Sequence, residues 1–479
     1  MRARRQSVGI VASVSIGLGL LACAALQARA GAGAVEDAAV AEGRELFLRD
    51  WTPRDSRSRA GDGLGPVYNE RSCVACHGQG APGGAGPIEK NVDLITASWT
   101  HRDAMAKLHP GLVSARSVVL HRFGTGPDYD AWRLGLLGPA EAGNDLSDLA
   151  TTKRHEDITL FRTQRNAPAL FGLGRIDAVP DAVLEEAAAR ELPTFPEVHG
   201  RVCRLPGGGL GRFGWKAQVG TLDDFVRSAC AGELGLEVPG HSQGTDPRGD
   251  DAPPTGLDLS QGDCDALAAY IRSLPAPVAL APKDDRSEIW IEQGARLFVG
   301  IGCATCHTPR LGDVDGLFSD LLLHDMGRGL TDAGTYYGVP VDAPPSRSRG
   351  ELVRGRQTRN DGPLGARASE WRTPPLWGYR DTGPYLHDGR AETLDQAVDF
   401  HGGEAAATAR RFGRLSRSER KSIVLFLSTL VAPPDLVAAA RRPIGVARPA
   451  PFTGRPHAPG RSPRHGPPAD VRKNVSFIE

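Results

Sequence analysis

Two short stretches of this chain combine residue types and spacing that do chemistry together: Cys73-Val-Ala-Cys76-His77 and Cys303-Ala-Thr-Cys306-His307. In Cys-x-x-Cys-His, two thiols one helical turn apart can form thioethers to the vinyl groups of a haem, and the adjacent imidazole reaches the iron. A single Cys-x-x-Cys also serves redox or zinc chemistry. With 8 cysteines and 13 histidines in 479 residues, however, two complete pentads lie far beyond chance. The sequence therefore predicts two covalently bound haem c groups, on Cys73/Cys76 and Cys303/Cys306, with His77 and His307 as axial ligands.

A haem held this way must be enclosed, and the flanking sequence offers the same enclosing elements twice. Val40, Gly43 and Phe47 share one helical face before the first motif, and Ile291, Gly294 and Phe298 repeat that spacing before the second. A later helix with Leu267, Tyr270, Ile271 and Leu274 on one stripe is matched by one with Ile423, Phe426, Leu427 and Leu430, started by the capping box Ser416 to Glu419. Between them, Arg165-Asn-Ala-Pro-Ala-Leu-Phe-Gly172 returns as Arg372-Thr-Pro-Pro-Leu-Trp-Gly378. A helix before the motif and a closing helix after it describe a cytochrome c-like fold, with Gly43 and Gly294 allowing close backbone approach where the two helices cross. The expected organisation is a haem domain over 36–278, a linker from Pro275 to Lys283, and a second haem domain over 285–433. The first is enlarged by insertions over 51–71 and 87–164, beside the cofactor, where access is usually shaped.

Composition agrees with two or three globular domains: 40% of the residues are hydrophobic. The 57 basic and 57 acidic residues leave no basic bias that would argue for nucleic acid. With 59 Gly and 37 Pro, long ordered loops, a modest number of helices and little sheet are expected, so the fold class is mainly α. Arg2, Arg4 and Arg5 before the apolar run from Val8 to Leu26, with Ala28-Arg29-Ala30 following, read as a signal peptide over 1–30. An uncleaved anchor, or lipidation at Cys23, are the alternatives, and only these would tie the protein to a membrane. Each predicts export, hence a periplasmic location. The Pro- and Arg-rich tail over 434–479 is expected to be disordered.

Glu370-Trp-Arg-Thr-Pro-Pro-Leu-Trp377, Pro384-Tyr-Leu-His-Asp-Gly-Arg390 and Thr393-Leu-Asp resemble the C-terminal half of bacterial di-haem cytochrome c peroxidases and their methylamine-utilisation relatives. Gly63-Leu-Gly-Pro-Val-Tyr-Asn69, Pro168-Ala-Leu-Phe-Gly-Leu-Gly174, Gly211-Arg-Phe-Gly-Trp-Lys-Ala217 and Leu321-Leu-Leu-His-Asp-Met-Gly327 resemble more narrowly the di-haem oxidoreductases, described as peroxidases or "thiol oxidoreductases".

The resemblance implies further roles. In the peroxidases a Met downstream of the Tyr-x-His-Asp-Gly loop ligates the C-terminal haem, and the counted position here is His401, 14 residues after His387. His324 and Met326 are rivals. Across the repeats, His401 aligns with Ala229, so the first haem has no sixth ligand from the equivalent place; His121 and His155 are the leading residues that could close it, ahead of His101, Met105 and His109. Glu233 falls near the distal Glu of the peroxidases and Trp215 near their inter-haem Trp, which makes these the candidate catalytic residues. Arg212 and Lys216 could pair haem propionates.

Three readings follow. The first is an exported peroxidase-like oxidoreductase that takes electrons from a small redox protein, a cytochrome or cupredoxin, at the C-terminal haem and passes them to an oxidant at the N-terminal haem. The second is a plain electron carrier, and the third a haem enzyme that oxidises an organic or protein substrate. Cys203, Cys230 and Cys264 are left over, an odd number without a Cys-x-x-Cys pair, which argues against thiol oxidation.

Overall fold

A computed structural model of the protein describes residues 37–97, 102–113, 115, 117–137, 151–155, 158–249, 256–332, 334 and 364–441. The expected signal peptide and His101 lie outside these residues, as does the tail beyond 441. The part up to residue 440 forms one compact unit. No helix among the described residues is long and apolar enough to cross a membrane.

Seven helices position the two Cys-x-x-Cys-His motifs: α1 (37–48), α2 (Leu222–Leu234), α3 (Gln261–Ser273), α4 (Asp285–Gly300), α5 (Leu394–Asp399), α6 (Ala406–Gly413) and α7 (Arg417–Leu427). Side-chain caps start the later ones: reciprocal boxes of Asp284 with Ser287, Thr393 with Gln396, and Ser416 with Glu419 satisfy first-turn amides that would otherwise be orphaned.

The glycine spacing has a direct structural reason. A Cβ on Gly43 would lie 1.9 Å from the Ala266 carbonyl oxygen of α3, and one on Gly294 would lie 2.0 Å from the Ser422 carbonyl oxygen of α7. Only a residue without a side chain allows α1 to cross α3, or α4 to cross α7, at that separation. Phe47 and Tyr270 meet beside the first crossing with ring centres 5.2 Å apart, and Phe298 and Phe426 beside the second at 5.6 Å. Two apolar clusters result. One gathers Leu46, Phe47, Phe171, Leu222, Leu267 and Ile271, and the other Phe298, Phe318, Phe412, Ile423 and Leu427.

The insertion departs from the expectation of little sheet. Strands β1 (Val92–Ala97), β2 (Ser117–Leu120), β3 (Thr151–His155) and β4 (Ile158–Arg165) form an antiparallel sheet in the order β2-β1-β4-β3. It has its own apolar cluster, including Ile95, Met105, Leu112, Leu120, Ile158 and Leu160. A short ladder closer to the second haem motif joins β5 (Leu323–Asp325) to β6 (Glu370–Arg372), with His324 opposite Trp371.

Two boundaries also shift. The stretch read as linker is part of the architecture: Val278–Ala279 pairs antiparallel with Leu430–Val431, and the Leu280 amide donates to the Thr429 carbonyl at 2.8 Å. Pro434–Arg441, read as the start of the tail, is helical, with Leu436 and Val437 packed on the first apolar cluster. Its proline sits at the first helical position, where the missing amide hydrogen is not needed.

Candidate haem sites

His77 and His307 have the same local arrangement. Each Nδ1 lies 3.0 Å from a backbone carbonyl, Pro168 for His77 and Phe318 for His307. A carbonyl only accepts, so Nδ1 carries the proton and Nε2 keeps its lone pair, the tautomer an axial iron ligand requires. Burial pushes both imidazoles down to about 4, with His401 adding to the effect at His307. Neutral imidazoles are therefore presented at ordinary pH. The neighbouring thiols Cys73, Cys76 and Cys303 are pushed up to about 12 by burial. Although surrounded by protein, the two histidines and four cysteines keep some accessible surface, and at the second motif it faces interior space as a haem cradle would.

Around the second motif this space is a cavity of about 280 Å3. Its lining includes Cys303, Cys306, His307, Trp377, Tyr379 and His401. Helix α5 ends at Asp399, and the His401 ring turns back so that Nδ1 donates to the Ala397 carbonyl at 2.7 Å. Burial lowers the basicity of His401, so its Nε2 is a free neutral donor on the wall of the cavity that His307 also lines.

Of its two rivals, Met326 lines the same cavity. His324 has both ring nitrogens engaged: Nε2 lies 2.9 Å from Asp320 and Nδ1 2.8 Å from Glu404. Burial opposes its charge, but Asp320 and then Glu404 outweigh burial and hold it well above the usual range as an imidazolium. A cation with no lone pair cannot ligate iron. Cys306, Asp320 and His324 also converge closely enough for a metal ion, a grouping that thioether formation at Cys306 removes.

Between the two motifs lies an aromatic and cationic network. The Trp215 Nε1 donates to the Asn166 carbonyl at 3.0 Å, and the Asn166 amide to the His387 carbonyl at 2.7 Å. His387 stacks on Trp371 with ring centres 3.7 Å apart, and the Lys216 ammonium lies 3.6 Å from the centre of the same indole. Trp215 lines the C-terminal cavity, and its acceptor Asn166 stands two residues before Pro168, the acceptor for His77. The candidate relay is thus attached to both haem surroundings.

Lys216 requires a correction. Its ammonium donates to the carbonyls of Arg367, Ala368 and Glu370, which uses all three hydrogens and leaves none for a propionate. Arg212 is similarly committed at both terminal nitrogens, to the Val179 carbonyl and the Asp181 carboxylate, while its buried Nε has no partner. Arg372, which sequence reasoning passed over, is a second cation beside Arg212 on the cavity wall. It lines the cavity, is lowered to about 10 by burial, and spends Nε on the Gly214 carbonyl at 2.9 Å. The signal was available in Glu370-Trp-Arg372, as it was for His387 in Tyr-Leu-His-Asp-Gly.

Around the first motif, Glu233 near the end of α2 accepts from Asn69 Nδ2 at 2.7 Å and influences the Cys76 thiol. His121 is next to it: its Nε2 donates to the Gly232 carbonyl at 3.0 Å, and burial pushes the ring down to about 4. The structure therefore brings Glu233, Asn69 and His121 together near Cys76. His155 goes elsewhere. At the end of β3, opposite Ile158 of the sheet's apolar cluster, it donates to the Leu136 carbonyl at 3.0 Å, which corrects its reading as a distal ligand. Met105 is buried in that same cluster, and His109 stands against Trp132 with ring centres 6.1 Å apart. Cys203, Cys230 and Cys264 are buried and free.

Residues 351–430 match the family model described as "Di-haem oxidoreductase, putative peroxidase". This C-terminal stretch is similar to the di-haem oxidoreductases. Among curated proteins it is 31% identical over 189 residues to the methylamine utilization protein MauG of Methylorubrum extorquens, covering 37% of this chain and 46% of MauG. It is 31% identical over 192 residues to the cytochrome-c peroxidase IdrP2 of Denitromonas iodatirespirans, covering 37% and 50%. The chain spans about half the length of these relatives. A solved MauG-like protein associated with microbial copper homeostasis is 18% identical, with a TM-score of 0.27 over 56% of this chain and 90% of that one. Two c-type haems are the cofactors, and the paired cysteines and neutral histidines at both motifs, with the cavity at the second, fit them.

Proposed function

We propose that the chain is an exported, peroxidase-like di-haem cytochrome that passes electrons from the haem on His307 to an oxidant at the haem on His77. Residues 36–278 and 285–433 would be the two cytochrome c-like halves, and the matching glycine crossings support that division. The observation that carries the function is the unequal furnishing of the two sites. His401 offers a neutral nitrogen within the His307 cavity, while the aligned position in the first half is Ala229, and His121 spends its Nε2 on a backbone carbonyl.

A bound haem supplies an iron that exchanges single electrons and, where one face stays free, can hold an oxidant. The protein's own groups divide the remaining work. His401 would close the second iron. Glu233, oriented by Asn69, would hold a proton beside the first. Trp215, fixed by the Asn166 carbonyl, would bridge the two surroundings. His121 can serve as a gate: its Nε2–H bond to the Gly232 carbonyl fixes the ring, and breaking it would let the ring turn and present its unprotonated nitrogen.

Cyanide titrations of the fully oxidised and the half-reduced holoprotein, followed by electron paramagnetic resonance, test the assignment. Cyanide should bind the His77 haem and not the His307 haem. If both irons stay low-spin in both states, and peroxide is not consumed with a reduced cytochrome, the electron-carrier reading replaces this one.

A further inference from the structure

We propose that the electron donor is an acidic redox protein that docks over the turn between Cys303 and Cys306, held by the arginines of α6. This rests on the reading of the His307 haem as the point of electron entry.

A surface groove of about 260 Å3 runs along that turn and is lined by Arg190, Leu192, Phe195, Val299, Ala304 and Thr305. Ala304 and Thr305 are the two residues between the haem cysteines, which line the cavity, so only this turn would separate an attached haem from the groove. Val299, 56% exposed, gives it an apolar floor. Arg190 is tied to the turn through the Thr305 carbonyl at 2.8 Å. On the other side, the Arg411 guanidinium lies 5.0 Å from the centre of the Phe195 ring.

Arg411 belongs to α6, whose inner face supplies Thr408, Ala409 and Phe412 to the haem cavity. One helix therefore separates that cavity from solvent. Arg410 and Arg414, adjoining Arg411 in sequence and by one turn, are exposed and form no ion pair among the described residues. The stretch 403–421 holds six basic residues and two acids in a chain whose formal net charge is zero. Of the two acids, Glu404 is turned inward onto His324 and Glu419 caps α7. Glu197 is already paired with Arg411, which leaves Glu191 as the acid lining the groove. An apolar groove that α6, a basic helix, reaches through Arg411 suits a partner of opposite charge, because such fields speed encounter and orient it. One electron would leave the donor's reduced metal, oxidising it by one unit, and convert the ferric His307 haem to ferrous.

The test uses the holoprotein with both haems attached. Stopped-flow absorbance follows reduction by a reduced cupredoxin of net negative charge, by one of net positive charge, and by uncharged hydroquinone. The double variant R410E/R414E changes exposed side chains outside the haem cavity, and circular dichroism confirms its fold. The acidic donor should react faster with the native protein than the basic one, slow with added salt, and lose about tenfold or more in rate with the variant, while hydroquinone is unaffected. If the acidic donor ignores both salt and the variant, the docking proposal is overturned while the entry reading survives. If hydroquinone reduces the His77 haem first and the His307 haem only afterwards, entry at His307 is wrong and both fall.

Discussion

Replacing His324 by leucine should cost the protein about 3–5 kcal/mol, the range for breaking a buried ion pair by removing one partner. The magnitude comes from what remains behind. Asp320 is 2% exposed and loses the 2.9 Å contact to Nε2, and Glu404 loses the 2.8 Å contact to Nδ1, so two carboxylates face an apolar side chain with no cation between them. The pH dependence follows from the signs. His324 is held above its ordinary 6.5, so its contribution is complete below pH 6.5 and fades as pH rises through the folded value. Glu404 behaves in the opposite way. Burial tends to raise it, but the bonds from His324 and the His199 amide win and lower it below 4.5, so its contribution is complete above pH 4.5 and is lost on acidification. The native protein should thus exceed the variant most between pH 4.5 and 6.5. Urea unfolding followed by far-ultraviolet circular dichroism at several pH values measures the gap. A gap under about 1 kcal/mol in that window, or one that grows above pH 8, would show that His324 is not a buried cation.

Denatured protein should retain two haems per chain by pyridine haemochrome, and substituting both cysteines of either motif should leave one. The variant His401→Ala should open the His307 iron to imidazole or cyanide, seen as a change of spin state, while His324→Leu and Met326→Ala should not. Gly294→Val should destabilise the protein by about 3 kcal/mol in thermal unfolding, the upper end of the usual overpacking range, because its Cβ would overlap the Ser422 carbonyl and the backbone of a helix crossing cannot yield cheaply. Glu233→Gln should leave cyanide affinity at the His77 haem within about twofold but slow peroxide turnover by about 100-fold or more, the range for a lost general acid or base. Equal losses in both would make Glu233 structural.

What was legible in the sequence was whatever local spacing encodes. The two haem motifs, the glycines of the helix crossings and the box from Ser416 to Glu419 each sit within one or two turns of chain, and their geometry follows from that. The sheet of the insertion was written less clearly. Val92–Ala97 is buried almost throughout, with Asp93 and Thr96 breaking its apolar run, and β3 is joined to β4 by residues with no recognisable hairpin pair, so the period of two is weak. The clamp on His324 was hidden for a different reason. Asp320 is four residues away, but Glu404 is 80 residues away and comes within reach only through the approach of Gly327 to Gly403. Lys216 misled because a cation near a cofactor motif suggests an anionic partner, whereas this one is consumed by three carbonyls contributed 151 to 154 residues later.

The pairing of Val278–Ala279 with Leu430–Val431 means that a cut at the seam proposed between the halves would not be clean. A fragment that starts at Asp285 would keep the second haem motif and its crossing helices, yet would leave one edge of Leu430–Val431 without the strand that covers it. Bare edges of that kind recruit other chains. A fragment that begins at Ala276 would carry its own cover, so the residues spaced like a tether in the sequence are strand partners in the fold.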